Sequence, residues 1–230
     1  SLDNTTGTTV NDYQINNAGL IEALSDQAVR SNLLAGTAFS LNNVIGGVID
    51  GYLTPSDEDT LFTNEGDWNI RHFADTDGDG VRDQKAVTIA DFGSGNDTVK
   101  NEATGVIRLV AEDPSLFPAL SYDPVYLGYQ TAGALDISYA GVNQGQLVNV
   151  NRFENRGTID LSANGLAGDV LAVTGNAQAN GTSGNGVFLA EGGSLILDTV
   201  LNEGGANSLS DVLVVDNLEA GSEKTKIIIN

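Results

Sequence analysis

Asp75, Asp77 and Asp79 alternate along the stretch DTDGDGVRD, with Gly80 directly after them and Asp83 at its end. Oxygen donors at every second position of a tightly turned loop can wrap one hard cation. The stretch matches the first nine positions of a D-x-D-x-D-G calcium loop, in which Val81 would offer its backbone carbonyl. The twelfth position, where such loops place a bidentate Glu, holds Ala86. Water or another loop would then have to close the ring, and affinity would be weak, about 10⁻⁴–10⁻³ M. The competing reading is an acidic, glycine-bearing hairpin tip that needs no metal; calcium bound by Asp75, Asp77, Asp79, Val81 and Asp83 is preferred.

Two further stretches invite a chemical reading. FGSGNDTV at 92–99 resembles one nonapeptide of the calcium-binding repeats-in-toxin family through Gly93, Gly95, Asp97 and Val99, but Phe92 replaces the first glycine and no second copy adjoins it. A turn leading into a strand is the favoured reading. Residues 110–146 hold Pro114, Pro118 and Pro124 together with Tyr122, Tyr126, Tyr129 and Tyr139, four of the six tyrosines in the chain. This is read as a loop insertion whose tyrosines either anchor a partner or fold back, half-buried, over a groove.

Catalysis finds little support. His72 is the only histidine, and neither G-x-S-x-G nor G-D-S-G occurs, so a Ser-His-Asp apparatus has no base and no elbow. G-x-G-x-x-G and Walker patterns are absent as well. The enzyme alternative is a polysaccharide lyase or hydrolase using clustered carboxylates, or calcium with Arg71, Arg82 or Lys85. Paired carboxylates are defined by separation in space, not in sequence.

Ten Lys and Arg stand against 31 Asp and Glu, a net charge of −21. Such a surface has nothing to neutralise phosphates, which argues against nucleic acid and against an anionic membrane. It suits cation binding or plain solubility. There is no Cys, so disulfides, thiolate metal sites and Cys nucleophiles are excluded together. No apolar run approaches the roughly 20 residues that span a bilayer, and no signal peptide is present, so membrane insertion by this stretch is not expected. With no Met either, the sequence reads as a processed or excised piece.

The elements that must position these residues come from a repeat, U-x-N-x-G-x-U with U apolar. It fits Ile15-Asn17-Gly19-Ile21, Phe62-Asn64-Gly66-Trp68 and Phe153-Asn155-Gly157-Ile159. With Glu in the Asn place it fits Leu189-Glu191-Gly193-Leu195. Two looser copies carry extra residues before the glycine, Leu41-Asn43-Gly47-Ile49 and Val99-Asn101-Gly105-Ile107. A second string, Asp-x-(Leu/Val), occurs at Asp59, Asp97, Asp169 and Asp211. Apolar residues two apart share one side of a strand. Asn and Gly between them read as a corner, because both tolerate left-handed backbone. Such units bury their apolar side only by stacking, and stacked asparagines can hydrogen-bond in a ladder. Spacings of 21 to 54 residues fit a solenoid of about 20–30 residues per coil with insertions. The expected fold is a right-handed parallel β-helix, one domain over 1–230, its handedness taken from the general crossover preference. LIEALSDQAVRSNLL at 20–34 shows helical spacing through Leu20, Leu24 and Ala28 and is expected to be a helix packed on the stack or capping it.

Residues 192–230 combine Gly193, Leu195, Leu197, Asp198, Thr199, then Gly204 and Gly205, then Ser210, Asp211, Leu213, Val214, Val215 and Ile227 to Asn230. This order resembles the C-terminal, barrel-proximal part of the passenger domain of pertactin-like type V autotransporters. The resemblance implies a β-helix exported through the outer membrane of a Gram-negative bacterium, joined in its full-length parent to an outer-membrane barrel. It also implies a stretch that assists folding during secretion. The function then expected is non-enzymatic: a cell-surface or secreted adhesin or virulence factor. Its partners would be proteins or glycans on host or neighbouring bacterial cells. A calcium-dependent binding module is the alternative.

Overall fold

A computed structural model describes residues 2–3, 12–71, 88–110, 144–163, 165–175, 185–200 and 209–230. Among them the chain is all-β, with long parallel sheets. The first sheet has seven strands, ordered Asp12–Asn17, Ala38–Asn43, Asp59–Asn64, Thr98–Asn101, Arg152–Asn155, Val187–Ala190 and Asn217–Ala220. The second has eight, Leu2–Asp3, Leu20–Asn32, Val48–Thr54, Asp67–Ile70, Val106–Leu109, Thr158–Asp160, Ser194–Leu197 and Lys226–Ile229. Thr88–Asp91, Gln144–Val148, Val170–Val173 and Val212–Val215 form the third. A short antiparallel pair, Thr199–Val200 with Leu209–Ser210, stands apart. Strand order in each sheet follows the chain, so each return lays a strand beside the one laid a circuit earlier.

The register turns the apolar repeat into columns. In the first sheet Ile15, Leu41, Phe62, Val99, Phe153, Phe188 and Leu218 pair in succession. Ile21, Ile49, Trp68, Ile107, Ile159, Leu195 and Ile227 do so in the second. Phe62, Val99 and Phe153 are wholly buried, as are Trp68 and Ile107. Their strands alternate between buried and partly exposed residues, as a pleat with one side on the core requires. Trp68 meets Phe62 edge-on at 5.0 Å and gives its indole N–H to Gly51 O at 2.9 Å. Third-sheet strands differ: all four residues of Val170–Val173 are buried, so both faces are dry and the sequence is apolar without alternation.

The corner between first and second sheets corrects one expectation. Among the repeat's glycines, left-handed backbone plays no part; positive φ falls instead on neighbours such as Gly46. Stacked backbones approach so closely there that a Cβ on Gly66 would overlap Gly47 O, one on Gly105 would overlap Asn64 O, and one on Gly157 would overlap Gly105 O. The asparagines form the expected ladder. Asn17 donates to Asn43 Oδ1 (2.8 Å), Asn43 to Asn64 (2.8 Å), Asn64 to Asn101 (2.9 Å) and Asn101 to Asn155 (2.9 Å).

Three other expectations are revised. The segment read as helical is the strand Leu20–Asn32, with register shifts after Glu22 and around Gln27 and with Asp26 at φ 53°. Parallel pairing with Val48–Thr54 overrides the helical spacing: Ile21 and Val29 point to the core, while Leu20 is exposed. The fourth good copy of the repeat is shifted. Phe188, not Leu189, pairs with Phe153, and Ala190, not Glu191, takes the asparagine place. The Asp-x-(Leu/Val) string is two features. Leu61 pairs with Thr98, which sets Asp97 beside Thr60 and not Asp59, while Asp169 and Asp211 precede paired strands of another sheet.

Candidate functional site

The calcium set Asp75, Asp77, Asp79, Val81 and Asp83 lies outside the described residues, as do Tyr122, Tyr126, Tyr129, Tyr139 and His72. What is described is where their segments attach. Residues 72–87 join Asp67–Ile70 to Thr88–Asp91, and residues 111–143 join Val106–Leu109 to Gln144–Val148. Both connections run from the second sheet to the third. So do residues 161–169 and 198–211. Four connections, the two longest among them, therefore leave from one corner of successive circuits, while residues 174–186 run from the third sheet to the first.

Acidic groups line the described parts of that corner. Arg71, at the start of the first long connection, donates from Nε to buried Asp26 at 3.0 Å and lies 3.8 Å from Glu22 and 4.0 Å from Asp50. Three carboxylates thus share its charge. Burial, with a smaller contribution from Asp26, pushes the Tyr52 phenol above its ordinary range. Three circuits on, Asp211 accepts backbone N–H groups of Gly168 (2.8 Å), Asp169 (3.0 Å) and Asp198 (2.6 Å). Burial still pushes its carboxyl up, against those three bonds. Asp211 is a cap that ties two connections together.

The opposite corner, from the third sheet back to the first, holds the most perturbed group. Asp97 is wholly buried; its Oδ1 accepts the Thr60 N–H at 2.9 Å, and its own N–H goes to Asn151 Oδ1 at 2.7 Å. Asp97 Oδ2 and Thr60 Oγ1 are buried without hydrogen-bond partners. Desolvation pushes the Asp97 carboxyl up to about 7. The Thr60 N–H and hydroxyl pull the other way, and Glu58 and Asp59 add to the rise. Glu58, also wholly buried, takes the Ser31 hydroxyl on Oε1 and the Ser56 N–H on Oε2. Sequence reasoning flagged Asp97 for its string but missed Thr60 and Glu58, which only the stacking brings to it, and Ser31, which bonds Glu58.

The stretch 92–99 is a turn entering a strand, as favoured above. Gly93 has φ 82°, and a Cβ on Gly93 or Gly95 would overlap Ser56 O or Glu58 O in the preceding circuit. Among the described residues no group of three or more His, Asp or Glu side chains is arranged to hold a metal ion. No protein-family model, no curated protein and no solved structure matches the chain.

Proposed function

We propose that the chain is a right-handed parallel β-helix. We read it as part of the passenger of a Gram-negative autotransporter, displayed on or released from the cell surface as a non-enzymatic adhesin. The observation that supports this most is the parallel pairing of the four longer strands in the stretch that carries the resemblance, Ser194–Leu197, Val212–Val215, Asn217–Ala220 and Lys226–Ile229. Leu195 pairs with Ile159 on one side and Ile227 on the other, and the strand after Asp211 pairs with the one after Asp169. The shared corner of those four connections supports the contact role. Long connections on a stacked fold commonly carry its binding residues, and attachment of four of them at one corner suits joint contact with a protein or glycan.

Adhesion of beads coated with the chain to host cells tests this, with a deletion of 112–140 as the comparison. The deletion is expected to abolish adhesion while leaving thermal unfolding unchanged. Equal adhesion by both, or none above an unrelated protein of similar negative charge, removes the reading. Calorimetric titration with calcium tests Asp75–Asp83 separately. Cleavage of a polyuronate panel would favour the enzyme alternative instead.

A further inference from the structure

We propose that Asp97 is a proton latch: a carboxylic acid kept protonated between two circuits, whose ionisation loosens the corner joining third and first sheets. The geometry is that of a neutral acid. Its side chain is wholly buried, and one oxygen takes the Thr60 N–H. The other oxygen and the Thr60 hydroxyl oxygen are both buried without a hydrogen-bond partner. A carboxylate so placed would carry its charge out of water with the Thr60 N–H and at most the Thr60 hydroxyl to solvate it, a costly state. A protonated carboxyl has an O–H to offer, and the Thr60 oxygen is there to accept it.

The charged surroundings point the same way. From the preceding circuit Asp97 faces Glu58 and Asp59, both acids. The Asp59 carboxylate accepts the Asn96 N–H and Asp57 accepts the Ser94 hydroxyl, so these acids are tied to the same turn. From the following circuit come neutral Asn151 and the backbone N–H of Arg152, which donates to the Asp97 carbonyl. The Arg152 guanidinium itself is bound to Glu154 and Glu219. A cation in place of the proton is disfavoured, because both Glu58 oxygens already accept hydrogen bonds.

The sign follows from linkage. Burial holds the folded carboxyl near 7, while an unfolded Asp loses its proton at about 4. Between these values the folded state binds the extra proton. Stability is greatest in acid, falls as pH rises through the window and levels off above it. Lower pH also relieves general repulsion among the acids, so the specific effect needs a matched variant.

Asp97→Asn supplies one, since its amide can accept from Thr60 N–H and donate to Thr60 Oγ1. Denaturant unfolding of wild type and D97N across pH 4.5–8.5, in EDTA and in calcium, reads the difference. The wild-type unfolding constant is expected to rise relative to the variant by up to about tenfold per pH unit below neutrality, with or without calcium. Parallel curves, a growing advantage for wild type, or a pH dependence that calcium erases would each overturn the latch. If D97N does not fold, the carboxyl carbon resonance of Asp97 in the wild type decides. A midpoint near neutrality supports the proposal and one near 4 ends it.

Discussion

The circuits around Phe62 and Trp68 and the last circuit, 217–229, follow the same register but live in different solvents. Phe62 and Trp68 have no exposed surface, whereas Leu218 and Ile227, in the same two columns, are 70% and 63% exposed. Nothing in the residue types separates them, since all four are apolar and inward in the pleat. What differs is a neighbour on each side. Burial in stacked parallel strands is a property of adjacent circuits and scarcely of the circuit itself, as nearest-neighbour repeat energetics require.

Large-to-small substitutions should break the two regions unequally. Trp68→Ala removes a buried ring, opens a cavity against Phe62 and leaves Gly51 O without its indole donor. A loss of about 3–5 kcal/mol is expected. Leu218→Ala removes a side chain that is mostly in water already, and is expected to cost well under about 1 kcal/mol. Equilibrium urea unfolding of both variants checks this. Equal losses would mean that the last circuit is covered in solution.

A second contrast concerns corners. Gly157→Ala drives a methyl into Gly105 O and Glu102 O, whereas Gly19, at the edge of the stack, has open space around it. Overpacking of this kind costs about 1–3 kcal/mol. Gly19→Ala is expected to be neutral or stabilising by up to about 1 kcal/mol, because its backbone is not left-handed and the unfolded chain loses freedom. Melting temperatures of the two variants report the difference directly. A similar fall in both would return the corner glycines to a purely conformational role.

These contrasts also mark what the sequence could disclose. Phe62-x-Asn64-x-Gly66-x-Trp68 announces its columns because it places two apolar residues and both corner residues on a period of two, and the copies from Ile15 to Phe153 stack on their like. The strand Leu20–Asn32 was hidden, since Leu20, Leu24 and Ala28 satisfy a helical period, and only pairing with Val48–Thr54 decides otherwise. Register errors of one residue were equally invisible. Leu189-x-Glu191-x-Gly193 reads well in one dimension, yet the core takes Phe188, because the residues between Ala190 and Gly193 number one more than at the matching corner. The hydrogen bond from Thr60 to Asp97 spans 37 residues of chain, and no local pattern encodes it.

The asparagine ladder stops at this same corner, and this gives the finest test of the comparison. Asn155 Oδ1 accepts from Asn101, and the next place in the column is Ala190. Gly192, in left-handed backbone at φ 94°, absorbs the added residue at this corner. Ala190→Asn puts a further amide in line with Asn155 and is expected to raise stability by about 0.5–1.5 kcal/mol, the net worth of one hydrogen bond. Its companion, Ala190→Asn with Gly192 deleted, restores the single intervening residue of the corners after Asn17, Asn64 and Asn155. If register alone governs the ladder, the single substitution raises the melting temperature and the deletion adds little. If corner length governs it, the single substitution leaves the melting temperature unchanged or lower, and only the double change raises it. The circuit of Phe188 and Leu195 then differs from the central ones by its corner as well as by its column residue.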